Sequence, residues 1–173
     1  MTNIPSSLQT ENLILRMPVI ADFDAMAEFL AEERSSGVGG PMNRAAAWRT
    51  FATDFGHWHI RGYGMFAVEE KSSGKTAGMV GFWYPEGWPE VELGWTAYAG
   101  FEGKSIAYEA AKRVRQHAYD DLGWTTIISI ILPENTRSIT LAERLDAKFE
   151  RNWVTPGGTN TVIYRHPAPE AIQ

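Results

Sequence analysis

Apolar positions recur along the chain at two spacings, and these spacings predict most of its helices and strands. The clearest pattern puts an apolar residue at every fourth position after Gly103 and predicts a helix with Ile106, Ala110, Val114, Ala118 and Leu122 on its buried face. Gly123 follows directly and supplies the residue type that commonly ends a helix. This helix is therefore expected to lie against a sheet.

Three further segments have helical spacing. Asp22 is a candidate N-cap for a helix from about residue 23 to 30, and a second helix is predicted from Ala45 to about His59. A shorter helix is expected over about 138–145. Between the first two helices, the glycine-rich segment 35–41 predicts a loop.

The remaining apolar runs are short and predict strands. They cover about residues 13–16, 65–68, 77–83, 90–97, 125–132, 149–154 and 161–165. The β-branched run at 125–132 is typical of a strand buried on both faces in a parallel pairing. Strand, helix and strand over 91–132 then form a crossover. The expected fold is mixed α/β (α+β), with about seven strands in one twisted sheet, about four flanking helices and a single domain over 1–173.

Composition narrows the function classes. The 173 residues carry a formal net charge of −5 and no lysine- or arginine-rich stretch, which argues against broad nucleic-acid binding. No cysteine is present, which excludes disulfides and thiolate chemistry. The first residues lack a signal-peptide pattern and no apolar run is long enough to span a membrane, so a cytoplasmic protein is expected. His57 and His59 point to different helix faces, so no metal site is expected.

The segment between the strand 90–97 and the long helix is a short loop marked by Gly100 and Gly103. Such a loop directs backbone N–H groups and a helix N-terminus toward one point, which predicts an anion site, most simply for phosphate. A P-loop requires a glycine at the position of Tyr98, and the dinucleotide fingerprint is also absent. A turn that binds no ligand stays an alternative.

Four motifs in register resemble a known family. Glu92-Leu-Gly-Trp95 followed by Gly103-Lys-Ser-Ile-Ala-Tyr-Glu-Ala110 is similar to the acyl-CoA loop of the GNAT acyltransferases, in their ribosomal-protein N-acetyltransferase (Rim-type) branch. The opening strand Thr10–Arg16, the Asn135-Thr-Arg-Ser138 segment and the helix Leu141–Phe149 match in the same order. Ser105 and Gly100 depart from the usual loop pattern, as do Asp146 and Asn12.

The resemblance implies a GNAT-like fold, acetyl-CoA as cosubstrate and direct acetyl transfer to an amine in a ternary complex. It implies that the backbone of Trp95, Thr96 and Ala97 pairs with the pantetheine arm, and that Asn135 hydrogen-bonds it. The pyrophosphate would lie on the loop formed by Gly100, Gly103, Lys104, Ser105, Ile106 and Ala107. Ser138 would protonate the departing thiolate. Lys104, Arg137 and Arg144 are candidate phosphate contacts, and Tyr108 is expected to pack.

Glu92 is the candidate general base. Strand alternation puts Glu92 on one face with Glu90, Gly94 and Thr96, a few residues upstream of the backbone that the resemblance pairs with the pantetheine arm. A solvated strand carboxylate is the alternative interpretation of Glu92. Deprotonation costs about 1 kcal/mol for an α-amine near pH 7 and about 4–5 kcal/mol for a lysine amine, so an α-amine needs less help. Glu69 and Glu70 are rival bases.

Several alternatives stay open. The expected function is acetyl transfer to a small amine or a protein N-terminus. A homodimer is one of the assemblies left open. Ser105 and Gly100 motivate a non-catalytic acyl-CoA-binding domain as the alternative, and a nucleotide-binding protein is a third reading. The acceptor pocket is expected to involve the 37–41 segment, the second helix and the aromatic cluster Phe82–Trp88, with Trp58 and Tyr84 as further candidates.

Overall fold

The computed structural model describes residues 7–172; residues 1–6, where the sequence shows no signal-peptide pattern, and residue 173 lie outside the described part. Eight strands form one sheet. They are β1 (Ser7–Gln9), β2 (Leu13–Arg16), β3 (Met65–Glu70), β4 (Lys75–Trp83), β5 (Glu92–Ala97), β6 (Ile128–Ile131), β7 (Lys148–Val154) and β8 (Asn160–Arg165). The order in the sheet is β1-β2-β3-β4-β5-β6-β8-β7.

Four α-helices and three short 3-10 helices accompany this sheet in the described residues. The α-helices are α1 (Phe23–Leu30), α2 (Arg44–Arg61), α3 (Ile106–Asp120) and α4 (Thr136–Arg144). The 3-10 helices cover Ile20–Asp22, Glu33–Val38 and Pro169–Ala171. The prediction of a mixed fold with one sheet and four main helices is confirmed.

One pair of neighbouring strands differs from all the others. β5 and β6 are parallel and are matched at a single position, Glu92 with Ile128, whereas every other pair is antiparallel and matched over three or more positions. On its other side, β5 pairs with β4 along the whole length of β5, from Glu92 to Ala97. The sheet is therefore open between β5 and β6 beyond Glu92.

Each face of the sheet has its own hydrophobic core. α3 covers one face, where Ala110, Val114 and Ala118 pack with no exposed surface against strand residues such as Phe82. α1 and α2 cover the other face and enclose Met79 and Tyr98. A third buried cluster, which includes Ile131, Ala142 and Tyr164, packs α4 against β6 and β8. Burying a large apolar side chain contributes about 1.5–3 kcal/mol, so these clusters hold the strands in place on both sides of the opening.

Several expectations about the elements are wrong in detail. Strand β1 is an eighth strand that the sequence pattern did not reveal, because Leu8 is its one buried residue. The segment predicted as a loop over 35–41 contains much of a 3-10 helix, Glu33–Val38. The strand predicted over 125–132 is regular only at Ile128–Ile131.

Two polar residues have partners other than those expected. Asp22 was expected to cap α1, but its carboxylate forms a bidentate ion pair with Arg16 at 2.8 and 3.0 Å and accepts from the Val19 N–H. His117 is not on the predicted buried face of α3, yet it is 4% exposed, with Nδ1 2.7 Å from the Asp121 carboxylate. In both cases tertiary packing decides what local spacing leaves open.

Candidate functional site

Two cavities meet at the opening between β5 and β6. The smaller has a volume of about 260 Å³ and lies toward α3 and α4; the larger, of about 390 Å³, lies toward α1 and α2. Both are lined by Glu92, Gly94, Trp95 and Thr96. A molecule in one cavity can therefore reach a molecule in the other beside these residues of β5.

Most of the predicted cofactor-binding residues line the smaller cavity. It brings together Glu92, Trp95, Thr96, Ala97, Gly103, Ala107, Asn135 and Ser138. Arg34 and Arg137 add two basic side chains. These residues come from β5, the following loop, α3, α4 and the 3-10 helix at 33–38, so the fold gathers parts of the chain that are far apart in sequence.

The opening also leaves main-chain groups of β5 without a strand partner. The carbonyl oxygens of Val91 and Leu93 point toward β6, since they accept from the Ile128 N–H at 3.2 Å and the Ser129 hydroxyl at 2.7 Å. Because strand groups alternate in direction, the N–H and C=O of Trp95 and Ala97 face the same way, into the opening. They offer an extended ligand a row of donors and acceptors.

The loop after β5 turns through backbone conformations with positive φ. Gly100, Gly103 and Ser105 have φ of 83°, 73° and 59°, and a Cβ added at either glycine meets no atom within 4 Å. Ser105 holds the left-handed conformation with an exposed side chain at the start of α3. The free N–H groups of the first turn of α3 and its dipole then point out of the helix start.

One acidic side chain shares this loop with the N–H groups. Glu102 accepts from the Gly100 N–H at 2.8 Å through one carboxylate oxygen and from the Arg34 guanidinium through the other. Arg34 also contacts Glu32, and its second terminal nitrogen is buried with no partner among residues 7–172. Arg34 and Glu102 thus link the 33–38 helix to the loop along the edge of the smaller cavity.

Glu92 lies where the cavities join, and its environment favours the neutral acid. Burial raises the pKa of Glu92 to about 7, while hydrogen bonds from the Trp88 indole at 2.8 Å and from the Ile130 backbone act in the opposite direction. The residue still keeps some exposed surface, which faces the cavities. A carboxyl with this pKa can accept or release a proton near neutral pH.

Ser138 and Asn135 lie together at the start of α4. The Asn135 side chain accepts from the Ser138 backbone N–H at 3.1 Å and so caps the helix. The Trp95 indole N–H donates to the Ser138 hydroxyl oxygen at 3.3 Å. Because that oxygen accepts the indole bond, its own hydrogen is left to donate elsewhere.

The other predicted contacts lie outside the cavity walls. Gly100, Lys104 and Ser105 are exposed on the loop, and Lys104 lies 5.2 Å from the Phe101 ring centre. Ile106 is 7% exposed and packs in the core, so its backbone alone is available to a ligand. Arg144 stacks on the Tyr108 ring at 4.4 Å.

The rival bases are remote from the cavities. Glu69 pairs with Arg16 on β2 at 3.1 Å, and Glu70 accepts from Ser73 in the hairpin turn at 2.7 Å. Neither residue lines either cavity. Trp88 and Trp83 do line the larger cavity, whereas Trp58 is fully buried in the core and Tyr84 lies off the walls.

Sequence reasoning missed Asp54 and Tyr98 as residues of the larger cavity. Asp54 lies on the inner face of α2 and Tyr98 follows β5. Gly94 occupies the junction, on the expected side of β5, where a Cβ would lie 3.8 Å from Glu92 Oε1. One signal was available for Asp54, because it falls between Phe51 and Trp58 on the apolar side of α2. A carboxylate in an apolar helix face indicates a buried polar role.

Residues 7–172 contain neither a cluster of metal-binding side chains nor a helix suited to span a membrane. No group of three or more His, Asp or Glu side chains is arranged to hold a metal ion. No helix there combines the length and the apolar character that crossing a membrane requires.

The opening between β5 and β6, beside the N-terminus of α3, offers main-chain and helix N–H groups to an extended anionic ligand. The sequence model of the Acetyltransferase (GNAT) domain matches residues 12–148. The chain belongs to this GNAT acetyltransferase family. It is accordingly an acetyl-CoA-dependent acyltransferase.

Solved structures agree with this assignment. An acetyltransferase from Agrobacterium tumefaciens shares 35% identity and a TM-score of 0.86, with 95% of each chain covered. The microcin C7 self-immunity acetyltransferase MccE, solved with acetyl-CoA and AMP, shares the fold at 18% identity and a TM-score of 0.76, covering 94% of this chain and 97% of that one. RimL, a ribosomal alpha-N-protein acetyltransferase, has 14% identity and a TM-score of 0.76, with coverages of 95% and 93%.

Proposed function

We propose that the protein transfers the acetyl group of acetyl-CoA directly to a primary amine, with Glu92 as the general base. The observation that carries the proposal is the position of Glu92 at the junction of the two cavities. Acetyl-CoA occupies the smaller cavity and the amine the larger one. The thioester and the amine then meet beside the one carboxylate that lines both cavities and has its pKa raised to about 7.

The chemistry of the smaller cavity suits coenzyme A along its length. The pantetheine amides pair with the main chain of Trp95 and Ala97, which faces the opening in the sheet. The pyrophosphate lies on the loop at Gly100–Ala107 and the start of α3, where N–H groups and the helix dipole favour an anion. Arg137 lines the same cavity, and its guanidinium group is a candidate to bind a phosphate of coenzyme A.

The proton and the acetyl group move in a defined order. Glu92 takes a proton from the ammonium group, directly or through one water, and the neutral amine attacks the thioester carbon. A carbon–nitrogen bond forms, the carbon–sulfur bond breaks, and the thiolate takes the hydroxyl proton of Ser138. Trp95 holds the Ser138 oxygen at 3.3 Å for this step. The nitrogen of the new amide loses its second proton, which returns to the Ser138 oxygen directly or through water, and Glu92 releases its proton to water.

The finer assignments have different supports. The ribosomal-protein branch rests on the sequence motifs, because RimL at 14% identity shares the fold alone. The departures at Ser105 and Gly100 do not narrow the cavity, since both residues hold positive φ and neither lines it. The Gly100 N–H is taken by Glu102, so the N–H groups at the start of α3 remain for the pyrophosphate. The homodimer and the cytoplasmic location stay predictions.

The deciding experiment separates binding from turnover. We expect saturable acetyl-CoA binding by calorimetry, and release of free CoA when a panel of amines and short peptides is added. Glu92→Gln removes the base but keeps the shape of the side chain, so turnover should fall about a hundredfold to ten-thousandfold with acetyl-CoA affinity retained. Glu69→Gln, on β3 and away from both cavities, is the matched control and should leave turnover as it is.

Two results would change the proposal. A protein that binds acetyl-CoA but turns over with no amine is the non-catalytic binding domain instead. Unchanged turnover in Glu92→Gln removes Glu92 as base while leaving the acetyl transfer itself in place.

A further inference from the structure

All charged side chains that line the larger cavity, among the described residues, are acidic. Its charged side chains are Glu92 and Asp54, and no lysine, arginine or histidine of residues 7–172 lines it. The smaller cavity differs, because Arg34 and Arg137 line it together with Glu92 and Glu102 and so balance their charges. The larger cavity, which has acidic but no basic side chains, is therefore the one suited to a cationic group.

Asp54 is a buried carboxylate without a partner. Asp54 is 7% exposed, and its carboxylate forms no hydrogen bond or ion pair within residues 7–172. Isolated carboxylates in such surroundings are costly and are usually paired. Burial raises the pKa of Asp54 to about 7, since nothing nearby compensates its charge. A cationic group entering the cavity would supply the missing partner.

Tyr98 contributes a second unmet polar group at the same place. The residue is 4% exposed, and its hydroxyl is buried without a hydrogen-bond partner among the described residues. Burial raises the pKa of Tyr98, and the negative charge of Asp54 raises it further. Both side chains line the larger cavity, so this cavity holds a carboxylate and a hydroxyl group that have no partner among residues 7–172.

This polar pair lies away from the reacting end. Glu92 begins β5 and Tyr98 directly follows it, and both residues line the larger cavity. They are six residues apart in extended chain, which corresponds to about 20 Å between their Cα atoms. The wall around and between them is mainly apolar, formed by Met26, Phe29, Met65, Met79 and Trp83. Methionine-rich walls adapt to flexible apolar chains. An acceptor that reaches both ends is therefore apolar in its middle.

We propose that the amine acceptor carries a second cationic group, an ammonium or guanidinium, joined to the reacting amine through an apolar spacer, and that Asp54 and Tyr98 bind this second group. The proposal rests on the acetyl transfer proposed above and names the substrate class of the same site. The cation donates hydrogen bonds to the Asp54 carboxylate and to the Tyr98 oxygen. Glu92 receives the proton of the other amine.

The test compares two series of small amines. Each α,ω-diaminoalkane from diaminopropane to diaminooctane is paired with the n-alkylamine that has a methyl group in place of the second amino group. Turnover is followed as free CoA released from acetyl-CoA. We expect the diamine to exceed its partner in kcat/KM by at least about tenfold once the spacer is long enough to reach Asp54, the difference lying mainly in KM.

Two variants assign the preference to a residue. Asp54→Asn keeps the shape and removes the charge, and it should bring the ratio between the paired amines close to one. Asp24→Asn removes an exposed charge of α1 that pairs with Arg44, so it controls for the general negative field and should keep the wild-type ratio. Tyr98→Phe is a second test of the same pocket and should raise KM for the diamine by a smaller factor.

Binding without acetyl transfer keeps the two proposals apart. Calorimetric titration of the wild-type protein with diaminooctane and with its methyl partner should show the same preference in the absence of acetyl-CoA. Monoamines and diamines acetylated with equal kcat/KM, or an unchanged ratio in Asp54→Asn, overturn the second cationic group and leave acetyl transfer intact. Selective diamine binding without any acetyl transfer overturns the proposed function but supports the Asp54 site.

Discussion

The indole N–H of Trp88 donates to Oε2 of Glu92 across 2.8 Å, and it is the largest contribution that lowers the pKa of that buried carboxyl. Trp88 itself lines the larger cavity and packs edge-on against Trp153, with 5.4 Å between ring centres. The candidate base is thus oriented by a residue from the turn before its own strand. The bond also tunes how much of Glu92 is ionised at neutral pH.

Trp88→Phe should shift the pH dependence of turnover. The active base is ionised, so kcat/KM is expected to rise with pH through the Glu92 pKa of about 7. Removing the indole donor destabilises the carboxylate, raises its pKa and moves the acidic limb of the profile to higher pH. The measurement is kcat/KM against pH for both proteins. Trp48→Phe, at an exposed position on α2, is the matched control. A limb that stays in place would show that Trp88 does not act on the base.

Gly103→Val should weaken acetyl-CoA binding by at least about tenfold, because a branched side chain would project into the loop that takes the pyrophosphate. The variant also strains a backbone with φ of 73°, at a cost of about 1–2 kcal/mol in the free energy of unfolding. Calorimetry measures the affinity. Gly74→Val is the matched control, because Gly74 has φ of 66°, open surroundings and a place in the β3–β4 turn. Equal affinity in the two variants would place the pyrophosphate elsewhere.

Glu102→Gln should strengthen acetyl-CoA binding. Its carboxylate occupies the Gly100 N–H and the Arg34 guanidinium at the edge of the smaller cavity, where both could serve an anion. Removing one negative charge and freeing Arg34 is expected to lower Kd about two- to fivefold at low salt, with the gain shrinking at high salt. Glu28→Gln, on the exposed side of α1, is the control. Weaker binding in Glu102→Gln would instead show that Glu102 shapes the loop for the ligand.

Asp54→Asn should stabilise the free protein at high pH. Folding raises the pKa of Asp54 from 3.8 to about 7, so between these values the folded state binds more protons than the unfolded state. Stability from this group is therefore present at low pH and is lost as pH rises through about 7, at a cost of up to about 4 kcal/mol. Thermal unfolding at pH 5 and pH 8 measures it. The loss is progressive from pH 3.8 upward, so we expect the variant to have the higher Tm at both pH values and by a larger margin at pH 8 than at pH 5; a margin that shrinks toward pH 8 would mean that Asp54 has a partner in solution.

Local spacing in the sequence was enough to predict the elements that carry the site. The four-residue repeat of α3 predicts the helix correctly, and Gly123, with φ of 69°, ends it as expected. Alternation on β5 correctly places Glu92 on the same face as Gly94 and Thr96, since all three line the larger cavity. These features depend on neighbours in sequence, which is why pattern alone reveals them.

Residues whose role depends on distant parts of the chain were not predictable in the same way. The partners of Asp22 come from β2 and β4 as well as from its own turn, so a local capping rule could not identify them. His117 is buried because Phe66 and Phe82 of the sheet lie against it, with ring centres 6.3 and 6.5 Å away. Asp54 and Tyr98 likewise come to line one cavity only after α2 has packed on the sheet.

Because β5 and β6 are matched at a single position, the sheet consists of two groups of strands that are only weakly joined. One group is β1 to β5 and the other is β6, β8 and β7. Hydrogen bonds are regular between strands within each group and nearly absent between the groups. Under the proposed function, the pantetheine arm lies in this opening and pairs with β5, in the manner of β-augmentation. Cosubstrate binding would then add contacts at the place in the sheet where neighbouring strands share the fewest, and so stabilise the folded protein.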